Sequence, residues 1–209
     1  MAIIDNGNNN SVHFKFHEYK ETRANITING DNNKIDCLGQ LYGNGKLNIT
    51  ITASGCSIIL ESGIIINRGL NIYIAPSGGG TPSKDCNVTI AKDVFFNGVS
   101  TLTLSESNNR IDIGEGCLLA GGITFSTSDS HPIYDLDSNL RVNPSASIFI
   151  DANVWIGSNV HFLKKAYIPS GSVVAAHSIV TRKFDTPNIA VAGNPAKVVK
   201  HNIRWQKKV

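Results

Sequence analysis

A six-residue period in the second half of the sequence constrains the fold more than any other feature. Written in sixes, residues 148 to 183 read IFIDAN, VWIGSN, VHFLKK, AYIPSG, SVVAAH and SIVTRK. The third place of each unit is apolar and the first is small or β-branched, while the residue between them varies. This spacing indicates a short strand, because alternate side chains of a strand point to the same face. A helix would instead need apolar spacing near 3.6 residues.

The other three places of each unit suit bends between strands. They carry glycine, proline and asparagine, which are suited to turns and left-handed dihedrals. Hexapeptide periodicity is typical of parallel β-helices, in which three units close a triangular coil of about 18 residues. We therefore predict an all-β solenoid, namely a left-handed parallel β-helix with a protruding loop and a short C-terminal helix or tail.

The period also divides the chain into segments. Residues 58–183 are predicted to form the β-helix, since apolar pairs keep the period upstream, although less strictly. Residues 1–57 have a poor six-residue register, which predicts irregular N-terminal β coils or a cap. Residues 184–209 are predicted to form a basic tail. Two stretches break the register: a Gly/Pro loop at 75–86 and a longer polar loop at 126–147, and such expelled loops often carry function.

Composition limits the classes of protein that fit. Hydrophobic residues make up 41% and charged residues 17% of the chain, which excludes wholesale disorder. The four cysteines show no CxxC spacing, so we expect neither a zinc knuckle nor a redox motif and predict no metal. We also predict no signal peptide and no membrane span, because the N-terminus is polar and no apolar run approaches about 18 residues. Free thiols suit a reducing, cytoplasmic setting.

The net charge is +3, and the basic residues are partly concentrated between Lys197 and Lys208. A basic tail can meet nucleic acid, anionic lipid or a phosphorylated cofactor. It can equally be a solvated terminus.

A histidine lies in the long polar loop, within the string TSDSHPIYD. His131 suits the work of a general base, because the unperturbed pKa of histidine is about 6.5. A loop histidine can also be merely exposed. Asp129 and Asp135 flank His131 and could orient its imidazole, form turns or stay solvated, and a backbone carbonyl could orient the ring as well.

Trp155 occupies the variable second place of its hexapeptide, so its side chain is predicted to point outward. An outward indole is costly unless something covers it. Two explanations stay open, a contact between subunits and a place in an active site, where the indole N–H could donate to an oxyanion.

Ordered motifs over residues 107 to 206 carry a family resemblance. The strings DSHPIYD, NVWIGSNVHFLKKAYIPSGSVVAAHSIVTRK and AVAGNPAKVVKHN resemble the hexapeptide-repeat acyltransferase superfamily. Within it, DSHPIY with PNIAVAGNPAKVVKHNIRW is similar to the bacterial polysialic-acid and capsule O-acetyltransferases. The resemblance implies a homotrimer, with no nucleic-acid partner, that transfers acetyl groups from acetyl-CoA to hydroxyls of a surface glycan, with sialic-acid polymer as the favoured acceptor.

The resemblance also assigns roles to individual positions. His131 matches the family's catalytic base, and Trp155 matches the tryptophan that helps to form the site. The remaining matches are cofactor contacts: Ser158 and Ala176 along the pantetheine arm, Thr181, Arg182 and Lys183 at the superfamily's Thr-Lys contact, and Lys200 at the phosphates. A basic residue there is chemically sensible, because it pairs with phosphate oxygens. The chain departs from the family pattern at Ala166, which replaces a glycine, and at the Ala175–Ala176 pair.

Three other functions remain open at this stage. The same scaffold could N-acylate an amino nucleotide sugar. A β-helix carbonic anhydrase would need three histidines that converge on zinc, and His131, His161 and His177 have no closely spaced pair. A non-enzymatic trimeric β-helix would leave the TRK and NPAK motifs beside a basic tail unexplained.

Overall fold

The computed structural model describes residues 1–14, 24–78, 80 and 82–207. These residues form 22 strands and no helix, and every strand pairing except one is parallel. The prediction of an all-β, left-handed parallel β-helix is confirmed. Part of the N-terminal segment, Gly79 and Thr81 of the Gly/Pro loop, and Lys208 of the basic tail lie outside the described residues.

The strands stack into three sheets, which are the sides of the triangular coil. Sheet A comprises β1 (Ala2–Asp5), β3 (Ala24–Ile28), β5 (Lys46–Ile51), β8 (Gly69–Ile74), β11 (Val99–Leu104), β14 (Ile123–Ser126), β17 (His161–Leu163) and β20 (Ile179–Val180). Sheet B comprises β2 (Ser11–Phe14), β4 (Lys34–Cys37), β6 (Ser57–Leu60), β9 (Asn87–Ile90), β12 (Arg110–Ile113), β15 (Ile148–Ile150) and β18 (Tyr167–Ile168). Sheet C comprises β7 (Ile65–Ile66), β10 (Phe95–Phe96), β13 (Leu118–Leu119), β16 (Trp155–Ile156), β19 (Val173–Val174), β21 (Ala190–Gly193) and β22 (Ala196–Lys200).

The core is a column of apolar side chains inside the coil. Along most strands burial alternates, so that every second side chain points inward, as the period of a strand requires. The buried residues are mainly Ile, Leu and Val, with Phe96, Phe125 and Phe162 as the largest. Phe125 and Phe162 stack in successive coils with ring centroids 4.7 Å apart. Burial of this apolar surface stabilises the coil stack.

The length of a coil changes along the chain. Near the C-terminus Phe149 pairs with Tyr167 and Trp155 with Val173, an offset of 18 residues in each case, as the sequence predicts. In the N-terminal half Asn25 pairs with Asn48 and Asn48 with Asn71, an offset of 23 residues. In sheet A the strands β3, β5 and β8 have five or six residues, against two or three in the last coils, which lengthens the coil.

This longer repeat explains the poor six-residue register of the N-terminal segment. Its described strands are not irregular: they pair in register within the same sheets as the rest of the coil. Amide side chains stack between these coils, since Asn25 donates to Asn48 at 3.0 Å and Asn48 donates to Asn71 at 2.9 Å. The division of the chain at residues 57 and 183 stays a prediction.

From β6 onwards, the corner between sheets B and C has a left-handed backbone in each coil. Gly116 and Asn153 stack there with φ of 69° and 56°, and Gly171 and Asn188 follow with 68° and 56°. A Cβ on Gly116 would lie 2.7 Å from the Asn153 side-chain oxygen, so glycine both permits the turn and makes room for the amide. Alternating glycine and asparagine thereby build a regular edge.

The C-terminal segment is predicted to form a short helix or a tail, and the structure differs from the prediction of a helix. No helix occurs in its described residues; instead β21 and β22 form an antiparallel hairpin at the end of sheet C. Val191 and Ala196 are buried, and their alternation with exposed residues suits a strand better than a helix. The tail therefore continues the β structure and closes the end of the coil.

No helix that could span a membrane is present in the part of the chain that the structure describes.

We expect the Phe125–Phe162 stack to be a main source of stability. Phe162→Ala should lower the free energy of unfolding by about 3–5 kcal/mol, because it removes a fully buried ring and leaves a cavity. Phe149→Ala is the matched control, since Phe149 lies two strands earlier, points outward and is only half-buried. Urea titration of both variants measures the two losses. Equal losses would contradict this assignment of the core.

Candidate active site

The long loop after β14 is anchored by a partly buried ion pair. The Arg141 guanidinium donates to both carboxylate oxygens of Glu106, each at 2.8 Å, and the Ser128 hydroxyl donates to the same carboxylate at 2.7 Å. These hydrogen bonds, chiefly those from Arg141, lower the pKa of Glu106 to about 2. A bidentate pair of this geometry fixes orientation as well as distance. The loop is therefore attached at its far end to the coil that precedes it.

Asn143 organises the interior of the loop. Its side chain is buried, and its oxygen accepts from the backbone N–H of Ile133 at 2.6 Å. Its amide nitrogen donates to the Asp129 carboxylate and to the backbone carbonyl of His131, both at 2.9 Å. The backbone N–H of His131 in turn donates to the Asp129 carbonyl at 2.8 Å. The main chain of His131 is thus held on both sides while the residue itself is exposed.

The Asp129 carboxylate belongs to this anchoring network. It accepts from the Lys164 ammonium group and from the Asn143 amide. Burial raises the pKa of Asp129, but these two hydrogen bonds outweigh it and the pKa is lowered overall. Asp135 instead accepts from the hydroxyl and backbone N–H of Ser138, both at 2.8 Å. Within the described residues, neither carboxylate hydrogen-bonds the imidazole of His131.

The His131 ring packs over the Gly/Pro loop of the 75–86 segment. A Cβ on Gly78 would lie 3.2 Å from two ring atoms of His131, so the absence of a side chain at Gly78 makes room for the imidazole. The two register-breaking loops that the sequence identifies therefore meet at the corner between sheets A and B. His131 is presented to solvent from this junction.

Trp155 points outward from sheet C, as its hexapeptide place predicts, and 42% of its surface is exposed. A second indole partly covers it: Trp205 lies with its ring centroid 6.2 Å away at an angle of 42°. The Trp205 indole N–H donates to the Asn153 carbonyl at 2.7 Å, which fixes the ring at the corner between sheets B and C. Sequence reasoning did not single out Trp205, although it lies in the motif string that ends in IRW.

The residues expected at the cofactor fall into separate groups. Ser158 and Ala176 stack at the corner between sheets C and A, where a Cβ on Gly157 would lie 2.6 Å from the Ala176 nitrogen. Lys183 follows β20, forms an ion pair with Asp185 at 2.9 Å and lies 5.3 Å from the centre of the Tyr167 ring. Thr181 and Arg182 precede Lys183 and are exposed, and Lys200 ends β22 in sheet C.

The two candidate catalytic residues lie on opposite sides of the coil. His131 belongs to the corner between sheets A and B, whereas Trp155 projects from sheet C, the side opposite that corner. Outward groups on opposite sides of one triangular coil cannot approach the same reacting atom. The structure therefore does not bring His131 and Trp155 together within one chain.

Within the described residues, no group of three His, Cys, Asp or Glu side chains is arranged to hold a metal ion. His161 is hydrogen-bonded through Nδ1 to the Thr124 hydroxyl at 2.6 Å on sheet A.

Comparison with solved structures defines the class of fold. The polysialic acid O-acetyltransferase OatWY superimposes with a TM-score of 0.81 at 29% identity, over 100% of this chain and 93% of that one. The resemblance to the hexapeptide-repeat acyltransferases is thereby confirmed.

Sequence comparison identifies relatives that are named as polysialic acid O-acetyltransferases. The chain is 37% identical over 99 residues to a polysialic acid O-acetyltransferase of Escherichia coli O1:K1 and 33% identical over 126 residues to one of Neisseria meningitidis. These matches cover 47% and 60% of this chain. They span 32% and 57% of the lengths of those relatives. No protein-family model matches the chain. The predicted similarity to polysialic-acid O-acetyltransferases is confirmed, and the relatives are O-acetyltransferases.

The Glu106–Arg141 pair predicts how the loop depends on pH. A carboxylate whose pKa is lower in the folded state stabilises that state above the unfolded pKa, and the contribution is lost as the pH falls through the folded value. For Glu106 this window runs from its ordinary 4.5 down to about 2. The difference in melting temperature between wild type and Glu106→Gln should be largest above this window and disappear towards its lower end.

Glu115→Gln is the control, because Glu115 forms a surface ion pair with Lys92 at 3.2 Å. Such a pair contributes little to stability. Thermal melting across the pH range measures both variants. A gap between wild type and Glu106→Gln that is independent of pH would show that the ion pair does not carry the effect.

Proposed function

We propose that the protein is an acetyl-CoA-dependent O-acetyltransferase that acetylates hydroxyls of a bacterial surface glycan. Sialic-acid capsule polymer is the favoured acceptor, because the relatives reported above are polysialic acid O-acetyltransferases. The observation that carries the proposal is the anchoring of His131: its main chain is fixed by a buried network while its imidazole faces solvent. A general base needs both a fixed position and access to substrate.

In the proposed reaction His131 acts on the acceptor hydroxyl. The neutral imidazole takes the hydroxyl proton as the oxygen attacks the thioester carbonyl and the new C–O bond forms. The C–S bond then breaks, and the imidazolium returns the proton to the departing thiolate. The products are an O-acetyl ester and free CoA. The indole N–H of Trp155 would donate to the oxyanion that develops at the carbonyl.

Two of the cofactor residues, Ser158 and Ala176, are proposed to line the pantetheine arm at the corner between sheets C and A. Ser158 and Ala176 lie there in successive coils, so the pantetheine arm would follow the coil axis past them. The exposed side chains of Thr181 and Arg182 would lie beyond this arm. Lys183 and Lys200 would meet the phosphates, and the ion pair of Lys183 with Asp185 is exposed and can exchange its carboxylate for a phosphate.

A homotrimer is the proposed assembly, because one chain does not unite His131 with Trp155. The loop also carries apolar side chains that a single chain leaves in solvent, with Leu136 at 99% exposure and Ile133, Tyr134, Leu140 and Val142 more than half exposed. Contiguous exposed apolar surface marks contact sites. A neighbour in cyclic symmetry would cover this loop and bring its own sheet C against His131.

The setting is proposed to be cytoplasmic. All four cysteines are free and buried, as in proteins of reducing compartments.

His131→Ala should lower kcat by about 10²-fold or more, the usual contribution of a positioned general base. Its melting temperature should stay close to that of wild type, because the side chain contributes no core packing. His13→Ala, at an exposed histidine on β2, is the matched control.

Mass spectrometry after incubation with acetyl-CoA is the assay, with sialic-acid polymer, neutral glycans and amino sugars as acceptors. A mass gain on an amine but on no hydroxyl would replace the proposal by N-acylation. Wild-type turnover in His131→Ala would remove this residue from the mechanism.

Mixing two inactive variants tests whether the site lies between chains. His131→Ala and Trp155→Ala are unfolded together in equal amounts and refolded. If one chain supplies His131 and its neighbour supplies Trp155, about one quarter of the sites in randomly mixed trimers regain both residues. Turnover should then recover to about one quarter of wild type. Turnover would not recover if both residues came from one chain or if the protein were a monomer. Each variant refolded alone provides the baseline turnover.

A further inference from the structure

The C-terminal residues 202–207, here called the strap, run along the corner between sheets B and C. The backbone N–H of Ile203 donates to the Asn188 carbonyl at 3.0 Å, and the Trp205 indole donates to the Asn153 carbonyl at 2.7 Å. The Lys207 ammonium donates to the Asp93 carbonyl at 3.4 Å. The strap is therefore docked at three levels of the coil stack, and its side chains have defined positions.

A cavity of about 330 Å³ lies between the strap and this corner. Gly116 and Gly171 form part of its floor, and the lack of side chains there makes room for the Asn153 and Asn188 amides. Asn153 and Asn188 line it between the glycines, and both residues are exposed. The strap supplies a half-buried aromatic wall, Trp205, to the same cavity.

The strap also brings positive charge that its surroundings do not neutralise. Arg204 and Lys207 both line the cavity. Across the part of the chain that the structure describes, neither has a carboxylate within 4.0 Å. The cavity thus combines two cationic side chains, an indole and three amides, those of Asn153, Asn188 and Gln206. An acidic sugar needs this set of partners: cations for its carboxylate, amides for its hydroxyls and an apolar ring for its C–H face.

The position of the cavity relative to Trp155 indicates whether the acceptor or the acyl donor binds there. Trp205 contacts Trp155 from the edge of sheet C that meets sheet B. Ser158 and Ala176, the proposed line of the pantetheine arm, lie at the opposite edge of sheet C. Trp155 therefore stands between the cavity and the proposed line of the pantetheine arm.

We propose that the strap cavity binds an acidic sugar residue of the acceptor glycan, with its carboxylate on Arg204 and Lys207, its hydroxyls on Asn153 and Asn188, and its ring against Trp205. This inference rests on the proposed acetyl transfer to a glycan. The cavity would hold that acceptor glycan beside the reacting centre. The competing ligand is the acyl donor itself, since the phosphates of CoA are also anions.

Binding of a sialic-acid tetramer, measured by calorimetry without acetyl-CoA, tests the site. Arg204→Gln and Lys207→Gln should each weaken this binding by about tenfold or more, the usual effect of losing one charge-assisted contact. Arg110→Gln is the matched control, because Arg110 is an exposed arginine on sheet B that pairs with Asp112 at 2.8 Å. A neutral glucose tetramer should bind much more weakly to wild type and show no response to the substitutions.

Further measurements separate this site from the donor site and from the reaction. In the acetyl-transfer assay Arg204→Gln should raise the KM for the acidic glycan and leave that for acetyl-CoA unchanged, whereas Lys200→Ala should do the reverse. Displacement of the tetramer by free CoA, or unaltered tetramer binding in both strap variants, would overturn the proposed subsite. Tetramer binding that needs Arg204 and Lys207 in a protein without transferase activity would keep the site and remove the proposed function.

Discussion

The structure depends on the register between successive coils. Each strand hydrogen-bonds in parallel to the equivalent strand of the next coil, so equivalent inward residues stack into continuous apolar columns such as Phe125 on Phe162. A shift of one residue would turn every inward side chain of that coil outward, which is why the pattern tolerates so little variation at the inward places. The register of each coil is therefore fixed by the coil on which it stacks.

This constraint decides where function can lie. A strand inside the stack cannot lengthen freely. A corner, however, can accommodate an inserted loop without disturbing the strand pairing on either side. The pairs Thr124–His161 and Ile111–Ile148 keep their register across an offset of 37 residues, although the long loop lies between them. The loop then needs its own anchors, and the Glu106–Arg141 pair and Asn143 supply them. Polar hydrogen bonds thus replace the apolar column where the chain leaves the coil.

The sequence predicts those parts of the fold that follow from local periodicity, and misses those set by contacts distant in sequence. Residues 148–183 carry six-residue units that show both their strands and their 18-residue coil. The N-terminal 23-residue coil escapes a six-residue search, because its sheet A strands are longer and its stacked Asn25, Asn48 and Asn71 lie far apart in the chain. Trp205 was missed for the same reason: its partners, Asn153 and Trp155, are about 50 residues away, and nothing local indicates the contact.

The arrangement of sheet C suggests why a tail belongs to this scaffold. A solenoid side is flat, and a flat surface offers little contact area to a substrate. The strap adds a wall along the edge of sheet C that meets sheet B, and hydrogen bonds to the Asn153 and Asn188 carbonyls attach it there. Trp155 then has the Trp205 indole beside it, and the basic groups of the strap line the cavity at this edge of the sheet. If a neighbouring copy supplied His131, the proposed acceptor and the proposed acyl donor would reach Trp155 from the two edges of sheet C, and neither would have to leave before the other binds.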